Sequence, residues 1–219
     1  MALQNYNDLL EKIPKWLNKR ALDGMAADFI TLTESDIQSK LRSREMMITV
    51  EAPVTCASVN LPLDWLDATR LWIGGQARAL DFITPDAMPE FRARYGVAPG
   101  TPTAYGLIDN VIELVPVPTT ECSLWMTYYA KIPPLDADHP TNWLTARDIG
   151  IYLYGALVRA SPYLIDDARV ATWDKEYTGR IQQINASSQV ALHSGGPLVR
   201  RMRGYRRGPS SIPWRGAAV

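Results

Sequence analysis

Histidine and cysteine side chains carry much of the acid–base and nucleophilic chemistry that proteins perform near neutral pH, and this chain of 219 residues has two of each. His139 lies in the stretch DADHPTNW after Asp136 and Asp138, and two carboxylates could orient an imidazole or bind a divalent cation. Their spacing matches no established cation-binding loop, so we interpret the stretch as a surface loop whose Asp side chains form turns. His193 stands near the end of a helical pattern, where its charge would favour the helix C-terminus.

Neither the cysteines nor the glycines form a pattern typical of a catalytic site. Cys56 and Cys122 are too few for a disulfide framework, and no His or Lys lies close in sequence to lower the pKa of either thiol. The sequence contains no GxSxG, P-loop or HExxH motif, and no GxGxxG that opens a helix. We therefore expect no enzymatic activity, no cofactor and no metal, and a binding or structural role instead.

The C-terminal stretch LVRRMRGYRRGPSSIPWRGAAV, residues 198–219, has an unusual charge. It contains six arginines and no acidic residue, whereas the whole chain has 23 basic and 23 acidic residues. The other 17 basic residues therefore face 23 acidic ones, which gives the rest of the chain a formal charge of −6. The basic and aromatic residues that this tail offers to a partner are Arg200, Arg201, Arg203, Tyr205, Arg206, Arg207, Trp214 and Arg215.

Three interpretations of this tail are open. Its apolar residues interleave with the arginines, so an extended segment could dock along an acidic neighbouring subunit. Arginine also binds phosphate, and Tyr205 and Trp214 offer faces on which bases could stack, so a nucleic-acid-binding protein is the alternative function. The third interpretation is a solvated terminus that becomes ordered only on a partner. Protein docking is favoured, because DNA-reading modules usually present basic residues on a folded helix or strand.

Composition indicates an ordinary globular protein. Hydrophobic residues make up 47% of the chain, which is enough for one domain with a sizeable core or for two small ones. No apolar run approaches the roughly 18–20 residues that span a bilayer, and the N-terminus lacks the regions of a signal peptide. We expect a soluble, intracellular product that has no contact with a membrane.

The N-terminal stretch predicts two helices. Asn5 is placed to cap the first, and Pro14 inside its apolar pattern predicts a kink or an early break. Asp23 is predicted to cap the second, which ends near Arg44. The apolar stripe of this second helix comprises Ala26, Phe29, Ile30, Thr33, Ile37 and Leu41.

From Met46 onward, β-branched and aromatic residues alternate with turn signals, which predicts a small antiparallel sheet. Its first strand is MMITVEAPV, and LPLDWLDATRLWI is joined through Gly74-Gly75 to a partner strand in QARALDFIT. AYGLI and VIELV form a hairpin around Asp109-Asn110, and ECSLWMTYYA follows as a third antiparallel partner. The segment PDAMPEFRARYG predicts one short helix.

The C-terminal part begins with a loop rich in Pro and Asp, KIPPLDADHPTNWL, and continues with two helices. The first helix ends or kinks at Pro162, and the second starts at Asp166-Asp167 and is stopped by Gly195-Gly196-Pro197. The apolar residues of the first are Ile149, Leu153, Ala156, Leu157 and Ala160, and those of the second are Trp173, Tyr177, Ile181 and Ile184.

This order of elements predicts an α+β fold. We expect a helical bundle in which the N-terminal and C-terminal helices pack together, a small antiparallel β-rich insertion and an extended basic tail. The N-terminal helices fall in residues 1–44 and the insertion with its short helix in 45–131. The C-terminal helices fall in 132–194 and the tail in 195–219.

A set of phrases in a fixed order resembles the head-to-tail adaptor, or connector, proteins of tailed bacteriophages. These phrases cover most of residues 5–185 and are NYNDLLEKIPKWLNK, MAADFITLTESDIQSKLRSREM, LPLDWLDATRLWIGG, GTPTAYGLIDNVIELVPVP, LWMTYYAKIPPLDADHPTNWL and IYLYGALVRASPYLIDDARVATWDKEY. The positions that carry the resemblance suit a core as well as an interface, and they include Trp16, Arg44, Tyr128, Tyr129, Trp143, Tyr154, Leu157 and Trp173.

The resemblance implies a ring of twelve copies beneath the portal of a DNA-filled head. Such a ring extends the DNA channel, gives nozzle or tail-completion proteins a platform, and resides in the virion at the head–tail interface after synthesis in the host cytoplasm. The arginine tail would dock on the portal protein, and an acidic body would let DNA pass without sticking. Each subunit of a ring buries two different surfaces, and the inter-subunit candidates are Trp143, Tyr152, Tyr154 and Trp173.

Overall fold

The structure is a computed structural model that describes residues 3–18, 20–76, 78–164 and 168–193. Helices and strands are both abundant, which confirms the α+β class. The α-helices are α1 (Tyr6–Leu17), α2 (Ala26–Lys40), α3 (Met88–Tyr95), α4 (Trp143–Asp148), α5 (Gly150–Arg159) and α6 (Arg169–His193). Short 3-10 helices occupy Arg20–Met25, Arg44–Met46, Pro85–Ala87 and Ser161–Tyr163.

Helix α1 begins as its sequence predicts. The side chain of Asn5 accepts a hydrogen bond from the backbone N–H of Asp8, and the Asp8 carboxylate accepts from the backbone N–H of Asn5, which forms a capping box. The helix does not break early at Pro14, because it continues to Leu17 and ends at Asn18 in a left-handed conformation. Leu9, Ile13 and Leu17 are buried, so one apolar face holds the helix against the core across the proline.

The prediction that Asp23 caps α2 is wrong. Residues Arg20–Met25 form a 3-10 helix that leads directly into α2, and the N-cap position belongs to Met25, which makes no side-chain capping bond. The helix also ends at Lys40, before the predicted limit near Arg44. Its predicted apolar stripe is confirmed, since Ala26, Phe29, Ile30, Thr33, Ile37 and Leu41 are all buried.

The C-terminal part contains one more helix than its sequence predicts. Asn142 and Trp143 belong to a loop in the sequence-based prediction, yet Asn142 caps α4. Its side chain accepts from the backbone N–H of Thr145, and its own N–H donates to the Thr145 hydroxyl, at 2.9 Å in each case. Helix α5 ends at Arg159, three residues before Pro162, as predicted. The predicted start of α6 at Asp166-Asp167 lies outside the described residues.

The four longer helices share one hydrophobic cluster. Helix α5 contacts α1, α2 and α6, and α5 supplies several fully buried side chains because it is apolar around most of its circumference. The predicted apolar stripes of α5 and α6 are confirmed as buried positions except for Ile149, which is partly buried at the N-cap of α5. The N-terminal and C-terminal helices therefore lie together although the β-strands separate them in sequence.

In the part of the chain that the structure describes, seven strands form two sheets. They are β1 (Met47–Val54), β2 (Ser58–Asn60), β3 (Trp65–Ile73), β4 (Asp81–Phe82), β5 (Ala104–Ile108), β6 (Val111–Val115) and β7 (Cys122–Ala130). One sheet has the order β1-β7-β3 and the other has the order β2-β6-β5-β4. The predicted hairpin of β5 and β6 is confirmed, and Asp109 in its turn has the positive φ of 53° that the sequence indicates.

Two features of the predicted single sheet are wrong. After Gly74-Gly75 the described residues make an isolated bridge between Trp72 and Ala79 in place of a full strand, and the chain then pairs as β4 in parallel with β5 of the other sheet. Strand β7 does not extend the β5–β6 hairpin but lies between β1 and β3. These pairings join residues far apart in sequence, so local turn signals do not reveal them.

A second hydrophobic cluster fills the β region. It contains residues from both sheets, including Leu71, Leu124 and Met126 from the first and Ile112 and Leu114 from the second. It shares no buried residue with the helical cluster. The two parts of the molecule therefore have separate cores.

Hydrogen bonds and an ion pair link the two parts of the molecule at residues 41–46. Asn185 on α6 accepts a hydrogen bond from the N–H of Arg42 at 3.0 Å, and Ser188 accepts from the N–H of Arg44 at 2.5 Å. Arg147 adds an ion pair with Glu45 at 2.7 Å. These contacts fix where β1 leaves the helices.

Candidate protein-contact surfaces

The structure separates the four inter-subunit candidates into two groups. Tyr152 and Trp173 are buried, with 1% and 5% of their surface exposed, so they have little side chain left to offer a neighbour. Trp143 and Tyr154 are partly buried against the helical cluster and keep some exposed surface. The candidate residues of the arginine tail, Arg200 to Arg215, lie outside the described residues.

Tyr152 acts within the chain. Its hydroxyl accepts a hydrogen bond from the Asn142 side chain at 2.9 Å, and the same amide group donates to the carbonyl of Pro133. Burial raises the pKa of the Tyr152 hydroxyl well above its usual range. The tyrosine therefore links the loop before α4 to the helical core.

An aromatic surface lies where α1, α5 and α6 meet. Trp16 is 43% exposed and contacts Tyr154 edge to face, with ring centroids 6.1 Å apart and an interplanar angle of 84°. The guanidinium of Arg180 lies over the Tyr154 ring, 5.1 Å from its centroid. We call Trp16, Tyr154 and Arg180 the Trp16 surface. Tryptophan, tyrosine and arginine are the residues most enriched at the energetic centres of protein interfaces.

An ion pair behind the Trp16 surface fixes the orientation of its arginine. Both carboxylate oxygens of Asp148 accept from Arg180, at 2.9 and 2.8 Å, and Asp148 also accepts from the N–H of Gly150. A Cβ at Gly150 would lie 2.9 Å from Nη1 of Arg180 and from Oδ1 of Asp148, so a side chain there would require this ion pair to shift. The hydrogen bond to Asp148 raises the pKa of Arg180. The two bonds to the carboxylate hold the guanidinium over the Tyr154 ring.

Arg169 extends the same side of the molecule. Its guanidinium lies 5.0 Å from the ring centroid of Trp173 and donates to the backbone carbonyl of Trp16 at 3.2 Å. The buried Trp173 therefore affects this surface by positioning Arg169, since its own ring is not exposed.

The sequence gives little sign of the residues that orient the Trp16 surface. Trp16 and Tyr154 carry the family resemblance, but Asp148 and Arg180 read as ordinary polar helix residues. Glu176 and Arg180 are four residues apart, which is the one local signal of an ion pair. Asp148, which accepts both hydrogen bonds that orient Arg180, lies 32 residues earlier in the sequence and is identified only from the structure.

Further apolar side chains are exposed elsewhere. Leu63 is 90% exposed at a turn where Lys131 donates to its carbonyl oxygen at 3.0 Å, and Val97 is 81% exposed. A groove of about 660 Å³ lies between α3 and the β5–β6 hairpin, with Met88 and Ile108 in its wall and the Arg92–Glu113 ion pair on its rim.

The residues with potential chemistry are dispersed. Asp136 accepts a hydrogen bond from the N–H of His139 at 2.5 Å and lies 3.2 Å from its Nδ1, as expected of a turn. Within the described ranges, no three His, Cys, Asp or Glu residues are grouped as ligands of a metal ion. Cys56 is exposed and Cys122 is partly buried, and both are free thiols. No helix in the described part of the chain is long and apolar enough to cross a membrane.

The surfaces described above have the residue types of a protein that contacts other proteins. A family model described as SU10 adaptor protein matches residues 4–201, so the chain belongs to the SU10 adaptor protein family. The resemblance to bacteriophage head-to-tail adaptors is thereby confirmed, and the protein is classed as a phage structural adaptor and virion component. No curated protein matches the chain significantly.

Proposed function

We propose that this adaptor forms a ring of twelve copies beneath the portal, extends the DNA channel and provides the platform to which tail proteins attach. The family match over residues 4–201 carries the proposal. The role is structural and not catalytic. Each copy in such a ring must present two different surfaces to its neighbours, because contacts in a cyclic ring are head to tail.

The Trp16 surface supports the inter-subunit part of the proposal. Trp16 is large and 43% exposed, while Tyr154 beneath it is held by Arg180 and Asp148. A surface that is ordered before contact loses little side-chain entropy on binding. Trp143 and Tyr154 remain inter-subunit candidates, and we propose that Trp16 joins them while Tyr152 and Trp173 support the surface from inside.

The end of α6 supports portal docking by the arginine tail. This helix is anchored at Ser188, which is 2% exposed, whereas Val190 and Leu192 beyond it are 70% and 38% exposed. Apolar side chains are therefore uncovered where the chain leads toward residues 198–219. We propose that the tail arginines bind an acidic groove of the portal and that these apolar residues continue the same contact. The formal charge of −6 on the rest of the chain would keep passing DNA off the channel wall.

Deletion of residues 198–219 tests this function. The truncated protein should fold with the urea midpoint of the full chain but fail to co-assemble with the portal, as measured by gradient sedimentation and electron microscopy. Replacement of the six tail arginines by lysine is the matched control for charge, and it should weaken assembly less than replacement by glutamine. Normal docking of the truncated protein would refute the role of the tail.

Salt titration separates this function from nucleic-acid binding. If the tail binds DNA through several phosphate contacts, log K should fall by about 0.9 for each contact per log unit of salt. Tight, salt-sensitive DNA binding by the isolated protein, without portal assembly, would favour the alternative.

A further inference from the structure

Strand β1 is an unusually open sheet edge for this molecule. It has 8 residues, pairs along its whole length with β7 without a register shift, and ends its sheet. The opposite edge, β3, has two register irregularities, and Leu80 donates a hydrogen bond to Leu71 on its outer side. The edge strands of the other sheet, β2 and β4, have 3 and 2 residues. Bulges, coverage and short length are among the protections of sheet edges, as are proline and charged side chains. Among the described residues β1 has none of the first three, and its protections are Pro53 and the charge of Glu51.

Three observations establish which backbone groups of β1 point outward. The carbonyl of Ser123 accepts from the N–H of Gly74 on the β3 side at 2.7 Å, so Ser123 does not bond its β1 partner, Pro53. Pro53 has no N–H to donate to β7, which agrees with a Pro53–Ser123 pair whose backbones do not bond each other. The hydroxyls of Thr49 and Thr127 are 2.9 Å apart, as suits a pair whose backbones do not bond each other.

Alternation along the strand then assigns the other residues. Ile48, Val50 and Ala52 direct their N–H and C=O groups to β7, whereas Thr49 and Glu51 direct both groups outward. The N–H of Met47 is already used, because it donates to the carbonyl of Arg44. Among the residues that the structure describes, no hydrogen bond reaches the outward groups of Thr49 or Glu51. The open edge thus extends from the 3-10 turn at Arg44–Met46 to Pro53.

The side chains beside this edge define what could lie there. On the inner face, Ile48 and Val50 are only partly buried against the β cluster, so apolar surface continues to the edge. On the outer face, Glu51 is exposed and stands opposite Trp125, which stacks on Trp72 with centroids 6.0 Å apart. Glu51 forms no ion pair with another of the described residues. A strand added here would meet apolar surface on one face and a carboxylate on the other.

We propose that β1 accepts an extended segment of a different protein chain as an additional strand. The segment would place apolar side chains beside Ile48 and Val50, and a lysine or arginine opposite Glu51, while its backbone bonds Thr49 and Glu51. Main-chain bonds give such a contact affinity, and the alternating side chains give it specificity.

The described strands of a second copy of this chain are poorer occupants of the edge. Two β1 strands could pair only about a two-fold axis, which closes a dimer and does not build a ring. The other edges in the described part of the chain are too short or are covered, so they offer no strand of matching length. The inference rests on the proposed adaptor function, because a tail component is the protein expected to supply the segment.

Hydrogen exchange of the full-length protein, free and in purified phage particles, tests the inference. In the free protein the amides of Thr49 and Glu51 should exchange quickly, while those of Val50 and Ala52, bonded to β7, should be protected. In particles all four should be protected, with slowing of Thr49 and Glu51 by about tenfold or more. Mass spectrometry of the same particles shows whether the protein is present at all.

The possible results distinguish the two proposals. Absence of the protein from particles would refute the adaptor function and this inference together. Presence of the protein with Thr49 and Glu51 still exchanging quickly would refute the inference alone. Protection of both amides in the isolated protein at high concentration would identify a second copy as the occupant and would likewise overturn it.

Proline substitution provides a test with a matched control. Glu51→Pro removes an outward N–H without touching the β7 bonds, as Pro53 already does in the native strand. The Glu51→Pro substitution should lower retention of tail proteins on the particles by about tenfold or more, because a carbonyl of the added strand would lose its hydrogen-bond donor. Glu51→Thr keeps the N–H and should lower retention less. Slow exchange at Val50 and Ala52 in both variants confirms that the strand is intact, and equal retention by the two variants would contradict the proposal.

Discussion

The helical region and the β region of this adaptor are stabilised differently and offer different kinds of contact. Buried or partly buried polar groups link the helices: Asp36 accepts from Tyr177 at 2.7 Å and from Lys40 and Arg159 at 2.8 Å each. The β region relies more on its apolar cluster, and its polar side-chain contacts include the bond from the Tyr128 hydroxyl to Asp64 at 2.9 Å and the Arg92–Glu113 ion pair at 2.7 Å. The helices therefore present ordered side chains at the Trp16 surface, whereas the β region presents backbone groups at β1 that no other described residue bonds.

This difference has consequences for contact with partners. A side-chain surface such as Trp16 and Tyr154 is specific to the shape of its partner, and it depends on the ion pair of Arg180 behind it. A backbone edge accepts any extended segment whose alternating side chains fit. Under the two proposals above, the first surface joins identical copies and the second receives another protein.

The largest expected effects come from truncating one core side chain in each region. Leu157 and Leu114 are both 0% exposed, and either change to alanine should cost about 3 kcal/mol of unfolding free energy. Because the two clusters share no buried residue, Leu157→Ala should reduce amide protection mainly in α5 and α6, and Leu114→Ala mainly in β5 and β6. Urea unfolding with native-state hydrogen exchange measures both. An equal loss of protection in both regions would show that the cores are one cooperative unit.

A matched pair of glycine substitutions should differ between the regions. At Gly155 a Cβ would lie 2.3 Å from Cγ2 of Thr33, a buried, branched residue on α2 that cannot move aside. Gly155→Ala should therefore cost about 2 kcal/mol after the gain in helix propensity. At Gly106 a Cβ would lie 2.1 Å from Cε of Met88, the flexible end of its side chain. Gly106→Ala should cost less than about 1 kcal/mol.

Thermal unfolding of both glycine variants checks this order. The close approach of α2 and α5 fixes the helical region, while the groove beside Met88 and Ile108 leaves room for the methionine to shift. A Gly106→Ala variant less stable than Gly155→Ala would mean that α3 is the more tightly packed helix.

The local features of the fold were predictable from sequence where short-range physics decides them. Asn5 caps α1, the stripe of α2 is buried, and the Asp109 turn joins β5 to β6, because each depends on neighbours within a few residues. The pairing of β7 with β1 and β3 depends on residues about 50 to 80 positions away, so no local pattern reveals it. The single sheet expected around Gly74-Gly75 was wrong for that reason.

The candidate surfaces were predictable in part. Aromatic residue types identify Tyr154 and Trp143, but type alone does not separate them from the buried Tyr152 and Trp173. For the two tyrosines, the position on α5 decides which is exposed, since Tyr152 faces the core and Tyr154 contacts α1 and α6. The open edge of β1 was not predictable, because it follows from the order of the strands and not from the sequence of β1.

The smallest expected effect concerns two carboxylates on α2 with opposite pKa shifts. Burial acts to raise the pKa of Asp36, but hydrogen bonds from Lys40 and Tyr177 and the charge of Arg159 outweigh it and lower the pKa below its usual value. Its ionised form therefore stabilises the fold above pH 3.8, and that stabilisation is lost as the pH falls through the lowered pKa. Asp36→Asn should cost about 1 kcal/mol at pH 7 and progressively less as the pH falls below the usual pKa.

Glu34, two residues earlier, is the matched control. Burial raises its pKa, and the bond it accepts from the N–H of Leu135 offsets only part of this rise. Its protonated form is favoured in the folded chain, so its contribution is present below pH 4.5 and is lost as the pH rises through the raised pKa. Glu34→Gln should therefore be no less stable than the native chain at pH 7, in contrast to Asp36→Asn. Urea midpoints between pH 3 and 7 compare the two variants. If both lose stability only toward neutral pH, the Asp36 network does not stabilise the helices as an ionised group.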